Sequence, residues 1–243
     1  MPFTEVPPST TRERLLTTGQ LAAALVLACV GVFLSAGASA ESAIKLPPPL
    51  VDVAPTASTQ SQTAVFAGGC FWGVQAVFQH TRGVLQAVSG YAGGPHESAD
   101  YESVSSGATG HAESVQVTFD PKQVSFGKLM QIYFSVAHDP TQLNRQGPDR
   151  GTQYRSAVFY SNAEQRQIAQ HYIDQLDKAH AFAGKIVTQL KPNGGFYPAE
   201  TYHQNYATLH PEAGYIAAFD LPKIAHLKAF FPDAYRDAPV LVK

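Results

Sequence analysis

Cysteine, tryptophan and methionine are the scarcest residues in this chain: two Cys, one Trp and two Met among 243. Two cysteines cannot build a disulfide framework or a four-cysteine zinc module. Charged residues make up only 15% of the chain, and the net charge is -2. A balance this close to neutral carries no footprint for nucleic acid or for an anionic membrane surface. The sequence has no HExxH, no CxxC and no P-loop, which removes the commonest zinc and nucleotide signatures. No apolar run is long enough for a comfortable membrane span of about 20 residues. What remains is a chain of ordinary apolar content, large enough to bury a core without staples.

The mostly apolar stretch from Leu21 to Phe33 follows Arg12 and Arg14 and precedes Ala38-Ser39-Ala40. That is the order of a secretory signal peptide, so residues 1–40 are expected to be removed after Ala40 and the protein to be exported to the periplasm. An uncleaved anchor holding it to the membrane is the alternative. Lipidation at Cys29 is a third reading, which Leu27 fits poorly. Cleavage leaves a single cysteine, Cys70. Residues 41–62, rich in Pro, Ser, Thr and Ala with Pro47-Pro48-Pro49 inside, read as a flexible tether without a core of its own. The folded domain is expected over 63–243.

Cys70 lies in Ala67-Gly-Gly-Cys-Phe-Trp-Gly73. A β-branched and aromatic run, Thr63–Phe66, precedes it, and Val74, Val77 and Phe78 follow at helical spacing. The reading is strand, tight Gly-Gly turn, helix, with Cys70 at the helix N-terminus. Unpaired N–H groups and the macrodipole there favour an anion, so the thiol pKa is expected to fall. A lone Cys is also a small buried apolar residue, but an odd cysteine in an exported chain points to a reactive thiol.

Further along, Val84–Tyr91 reads as a strand, Gly90–Pro95 as a loop and Tyr101–Ser105 as a helical turn. In His111–Phe119, alternation puts His111, Glu113, Val115, Val117 and Phe119 on one strand face. A buried Glu113 would hold a proton near neutrality, as a general acid must; a solvated strand end is the competing reading, and this segment does not choose between them. Phe126–Val136 and Ala163–Lys178 read as helices, His138–Gly151 as a long polar loop, Gln153–Tyr160 and Ile186–Leu190 as strands, and Pro222–Phe231 as a short helix. Phe196–Tyr206 is a polar and aromatic cluster carrying Tyr197, Glu200, Tyr202, His203 and Tyr206. The class is mixed α and β, one sheet with helices against it.

Three chemistries compete for these residues. A metal site would need His111, Glu113, His138, Asp139 and His203 to converge, at spacings that match no common motif. A cysteine hydrolase would pair Cys70 with His203 and Asn205. Thiol redox chemistry needs an accessible Cys, aromatics to grip an apolar group, and a protonated carboxyl with hydroxyls for a departing oxygen. Phe71, Trp72, Glu113, Tyr101 and Tyr154 suit that third set.

Gly69-Cys-Phe-Trp-Gly73 resembles the active-site motif of the A-type peptide methionine sulfoxide reductases. The resemblance extends through Gly90-Tyr-Ala-Gly-Gly94, Tyr101–Gly107, Thr109-Gly-His-Ala-Glu113, His138-Asp-Pro140, Arg145-Gln-Gly147, Asp149–Ser156 and Tyr202-His-Gln-Asn-Tyr206, covering about residues 63–224. It implies an α+β fold: a two-layer α/β sandwich with a ferredoxin-like core and long surface loops. It implies that Cys70 attacks the sulfoxide sulfur, Glu113 protonates the oxygen, and Tyr101 and Tyr154 hydrogen-bond it. Phe71 and Trp72 would hold the ε-methyl group, Asp149 would position polar substrate atoms or a water, and His203 would lie in the outer pocket. The substrate would be the S epimer of methionine sulfoxide, free or in oxidised proteins and peptides, with no metal and no bound cofactor. Many relatives carry resolving cysteines near the C-terminus. Here Ala213–Lys243 has none, and Ile216 stands where some relatives have one. The expectation is a one-cysteine enzyme, monomeric by default and without a nucleic-acid partner. An external thiol would recycle it: glutathione, or a thioredoxin-like or glutaredoxin-like protein. A redox-sensing module that turns over once is the alternative from another class.

Overall fold

Alternation builds the central sheet. In β1 (Gln62–Ala67), Ala64 and Phe66 face one side and Val65 and Ala67 the other, and all four are buried. β2 (Val84–Ala92) and β3 (Ala112–Phe119) pair antiparallel along most of their length, and β3 also pairs antiparallel with β1. The computed structural model describes residues 43–53 and 60–243. The leader expected over 1–40, with Cys29, lies outside these residues, and among the described residues no helix is long and apolar enough to cross a membrane.

Between β1 and β2 runs α1 (Phe71–Gln79). After β2 come the short helix α2 (Tyr101–Ser105), then β3, then α3 (Phe126–Ile132), which widens into a π-helical turn at Tyr133–Ala137. Ser125 caps α3, its hydroxyl accepting from the Lys128 amide at 3.0 Å. A small hairpin follows, β4 (Arg145–Gln146) and β5 (Asp149–Arg150), then a 3₁₀ turn at Thr152–Tyr154 and β6 (Ala157–Tyr160). α4 (Ala163–Lys178) starts at an Asn162 cap. β7 (Gln189–Pro192), β8 (Phe196–Pro198) and the single-turn α5 (Tyr206–Leu209) lead to a π-helical segment, Ile216–Asp220, that runs into α6 (Leu221–Phe230).

The main sheet has the order β7-β6-β1-β3-β2-β8, antiparallel except for the parallel β6–β7 pair. Its inner four strands with α1 and α3 run β1-α1-β2-β3-α3-β6 in the chain and β6-β1-β3-β2 in space, the ferredoxin-like arrangement. Helices cover one face, where Phe66 stacks on Phe78 at 4.9 Å and on Phe126 at 6.1 Å. Each such ring contributes roughly 1.5–3 kcal/mol of burial. On the other face Val65, Ala67, Ala92, Ala112, Ala157 and Phe159 form a smaller cluster. Loops approach it, and Arg155 donates to the carbonyls of Gly110, His111 and Thr152.

Four boundaries differ from the sequence reading. The strand expected from Gln153 begins at Ala157, because Gly151, at φ +133°, turns the chain into the 3₁₀ turn first. The strand expected over Ile186–Leu190 is paired over Gln189–Pro192. The loop expected over 138–151 holds the β4–β5 hairpin, and β8 lies inside the polar cluster. All are two to four residues long, too short for alternation to mark; their partners define them.

The tether expected over 41–62 also needs correcting where it is described. Residues 43–53 lie along the helical layer, and Leu46 is buried. The Ile44 amide donates to the Ser135 carbonyl, Gln131 donates to the Leu46 carbonyl, and the Tyr172 hydroxyl donates to that of Pro47. Asp52 accepts from the Ser125 hydroxyl and the Gly127 amide. An extended proline run leaves its carbonyls without internal partners, and the helix side chains supply them. β1 begins at Gln62, and residues 54–59 lie outside the described residues.

Candidate active site

The turn before α1 is shaped by close backbone approach. Gly69 sits at φ +84°, and a Cβ there would meet the Gln146 side chain at 2.5 Å, so only glycine fits both the angle and the space. Cys70 follows as the N-cap of α1, at φ -54° and ψ 125°. It is 9% exposed, and its side chain makes no capping hydrogen bond to α1.

One expectation reverses at this point. Helix position alone predicted a lowered thiol pKa. Burial instead pushes Cys70 well up, and the charges of Glu113, Asp220 and Asp149 push in the same direction against the Trp72 amide. In this resting arrangement Cys70 is a protonated thiol.

Glu113 sits where alternation put it, on the β3 face that carries Val115, Val117 and Phe119 into the helical core. It is 4% exposed, so the buried reading holds. Its Oε2 accepts from the Phe71 amide at 3.0 Å. Burial raises its pKa to about 8; the Phe71 hydrogen bond opposes this, and the Asp149 and Asp220 charges add to it. A carboxyl protonated at neutral pH therefore sits one residue from the thiol.

Tyr154 is placed by the 3₁₀ turn after β5. Burial raises its pKa, and the charges of Glu113, Asp149, Cys70 and Tyr101 act on it in turn, so these five groups share one neighbourhood. Asp149 lies on the wall of the Cys70 pocket with Gln146, Gly147, Pro148, Tyr215, Phe219 and Lys223. Its Oδ2 accepts from the Tyr215 hydroxyl at 2.5 Å.

An aromatic cluster forms the other wall, with His203 at its centre. The His203 ring lies 5.0 Å from Phe71, 5.8 Å from Trp72 and 4.6 Å from Tyr101. Trp72 Nε1 donates to His203 Nδ1 at 3.2 Å. Burial lowers the His203 pKa against the nearby Glu200 charge, so the ring is neutral with its proton on Nε2. Trp72 is stacked on Tyr206 at 4.0 Å and meets Tyr215 edge-on at 6.1 Å. All eight residues expected at the site thus come together, from the start of α1, from α2, β3 and β5, from the 3₁₀ turn at Thr152–Tyr154 and from a second at Thr201–His203.

The competing metal set does not assemble. His111 accepts from the Gly94 amide and donates to the Pro95 carbonyl, while His138 bonds Ser156 and the Tyr133 carbonyl. Among the described residues, no three His, Cys, Asp or Glu side chains cluster as metal ligands. The hydrolase partners fail as well: His203 is taken by Trp72, and Asn205 bonds Gln79 and the backbone of Val242.

A thiol beside a protonated carboxyl, an aromatic wall and two tyrosines agrees with what sequence comparison finds. The family model for peptide methionine sulfoxide reductase matches residues 62–233. The chain belongs to this family. It is 60% identical over 186 residues to peptide methionine sulfoxide reductase MsrA 2 of Mesorhizobium japonicum, covering 76% of this chain and 95% of that one. It is 50% identical over 175 residues to peptide methionine sulfoxide reductase MsrA of Deinococcus radiodurans, covering 72% and 84%. Among solved structures, methionine sulfoxide reductase A of Corynebacterium diphtheriae superposes with a TM-score of 0.54 at 36% identity, over 70% of this chain and 88% of that one. Reduced Mxr1 of Saccharomyces cerevisiae superposes with a TM-score of 0.57 at 32% identity, over 63% and 88%. The protein is an oxidoreductase that reduces methionine sulfoxide in peptides, a repair of oxidised protein.

Sequence reasoning missed several members of the site. Tyr215, which no local pattern marks, donates its hydroxyl hydrogen to Asp149. Asp220 is fully buried, its Oδ1 3.2 Å from Lys223 Nζ, and it packs at Gly73, where an added Cβ would lie 2.1 Å from Oδ1. One signal was available: a carboxylate in the middle of Ile216-Ala-Ala-Phe-Asp-Leu221 interrupts an apolar run. Nothing local marked Gln146, which touches the site only through the β4–β5 hairpin.

Proposed function

We propose that Cys70 is the nucleophile and Glu113 the proton donor of this reductase, and that an external thiol completes its cycle. Cys70 loses its proton, which returns to Glu113 once that carboxyl has protonated the substrate, and its sulfur lone pair attacks the sulfoxide sulfur. Glu113 transfers a proton to the oxygen, aided by hydrogen bonds from Tyr154 and Tyr101. The S–O bond breaks as the oxygen passes to Cys70. The substrate leaves as the thioether, reduced by two electrons, and the cysteine becomes a sulfenic acid. The Glu113–Phe71 hydrogen bond carries this reading, because it fixes a protonated carboxyl beside the thiol. Phe71 and Trp72 offer the apolar surface for the ε-methyl group, and the resemblance to the A-type enzymes points to the S epimer as substrate.

Cys70 is a free thiol and the one cysteine among the described residues. Ile216, at the place where some relatives have a cysteine, is fully buried against Ala76 and Ala207. Two equivalents of an outside thiol would reduce the sulfenic acid to thiol and water, forming a disulfide between them. Glutathione and thioredoxin-like or glutaredoxin-like proteins all supply that chemistry. The test is turnover of each sulfoxide epimer in a peptide with dithiothreitol. Many turnovers on the S epimer, and a dimedone adduct at Cys70 without an intramolecular disulfide, are expected. Activity retained in Cys70→Ser would overturn the assignment, and a single stoichiometric event would favour the sensor instead.

The leader reading adds export to the periplasm. Cleavage after Ala40 would leave Leu46 and the rest of residues 43–53 whole. N-terminal sequencing of the protein from cells checks this; a start at Met1 would leave the anchor.

A further inference from the structure

His203 does more than close the inner pocket. Its ring is buried and passes the aromatic wall outward. On the inner side it meets Phe71 and Trp72; on the outer side it meets Tyr101 at 4.6 Å and Tyr202 at 4.2 Å. The outer rings are open to solvent: Tyr202 is 61% exposed and Tyr101 39%. The backbone of Tyr101 and the ring between the two tyrosines are held in place. The Tyr101 amide donates to Glu200 Oε1 at 2.9 Å, the Tyr91 hydroxyl donates to Glu200 Oε2 at 2.9 Å, and His203, which both rings touch, accepts from Trp72. Two large exposed rings on a buried histidine that also meets Phe71 and Trp72 form a contact for what lies beside the bound side chain in a polypeptide. Consecutive residues of an extended peptide are about 3.3 Å apart, so a neighbour of the bound residue falls within reach of the outer ring.

We propose that Tyr202 is a specificity-determining residue, which with Tyr101 forms an aromatic step that takes an aromatic or large aliphatic side chain next to the methionine sulfoxide. This rests on the site reading given above and deepens it by naming the preferred substrate class: peptides whose sulfoxide has an apolar neighbour, as in locally unfolded hydrophobic segments. Charge supports the same choice. The Glu200 carboxylate lies beside the step and acts on Tyr202. Although partial burial opposes it, the hydrogen bonds from the Tyr101 amide and the Tyr91 hydroxyl hold Glu200 ionised. An acidic neighbour would face that charge, whereas an aromatic one would stack.

The experiment compares kcat and KM for four substrates: free methionine sulfoxide, and tripeptides with Phe, Ala or Asp beside the sulfoxide. The native protein should favour the Phe peptide over the Ala peptide by about threefold to tenfold, the range of one aromatic contact. The difference should lie in KM, with the Asp peptide poorest. Tyr202→Ala should collapse the Phe-to-Ala ratio toward one with kcat for the Ala peptide retained, and Tyr202→Phe should restore it. A native enzyme indifferent to the neighbour, or a ratio unchanged in Tyr202→Ala, overturns the inference while leaving the site reading intact. No reduction of any sulfoxide would bring down the site reading and this inference together.

Discussion

The amide of Phe71 donates to Oε2 of Glu113 at 3.0 Å, across 42 residues of sequence. The bond ties the first residue of α1, next to Cys70, to the start of β3. One contact thus sets the distance between the thiol and the carboxyl proposed as nucleophile and proton donor.

Glu113 supplies the first prediction. Its pKa is raised to about 8, mainly by burial, so the acid form is present below that pH and lost above it. The single-turnover rate of sulfoxide reduction, corrected for thiol ionisation, should fall as pH rises through about 8. Trp72, the only tryptophan and two residues from Cys70, offers its fluorescence as the readout. Glu113→Gln should be slower by about 10²–10⁴-fold and lose that titration. A Gln variant that keeps the same falling limb would assign it to another group.

Asp220 opposes thiolate formation, second among the charges acting on Cys70. Its Oδ2 has no hydrogen-bond partner, although Oδ1 meets Lys223. Asp220→Asn keeps the shape and removes the charge. The pH midpoint for alkylation of Cys70 by iodoacetamide should therefore move down, read from the mass of the Cys70 peptide. A midpoint that stays put or rises would mean that the carboxyl is already neutral there.

His138 is buried with its ring stacked on Tyr133 at 4.0 Å and Nε2 at 2.7 Å from the Ser156 hydroxyl. Burial lowers its pKa from 6.5 to about 3. Between those values the unfolded chain takes up a proton that the folded chain refuses. The stability that this neutral histidine contributes is present above pH 6.5 and is lost as pH falls toward 3, by up to about 1.4 kcal/mol per pH unit. Urea titrations from pH 7 to pH 4.5 should show that slope, and His138→Gln, weaker at pH 7, should lose less on acidification. Equal slopes would place the acid sensitivity elsewhere.

Leu46 anchors residues 43–53 on the helical layer. Leu46→Ala should cost about 2–3 kcal/mol by cavity formation, measured by urea unfolding of a chain that begins at Ala43. Peptide reductase activity at low denaturant should be unaffected, because Leu46 lies against Gln131 and Ser135, away from Cys70. A cost near zero would mean that these residues lie on the domain without supporting it.

Local signals were enough wherever one residue pattern had one physical reading. The Gly-Gly turn before Cys70, the alternation through β3 and the amphipathic α4 were all legible for that reason. Glu113 was legible as a candidate and became decided only when pairing with β2 and the start of α1 buried its end of the strand. The two-residue strands of the hairpin, the three-residue β8 and the docking of residues 43–53 left no periodicity to read.

The sequence by itself determined that Cys70 stands at a helix start, which strand face Glu113 takes, and that no second cysteine follows Ala40. It could not set the thiol's resting state. Helix position argues for a thiolate, but the fold brings Glu113, Asp149 and Asp220 from three separate segments to one buried sulfur. Desolvation, the largest cause, outweighs the helix end; the Asp149 and Asp220 charges add to it, and Glu113 joins them only above about pH 8, where it ionises. That balance exists only once distant parts of the chain are packed together, so the tertiary structure alone decided it.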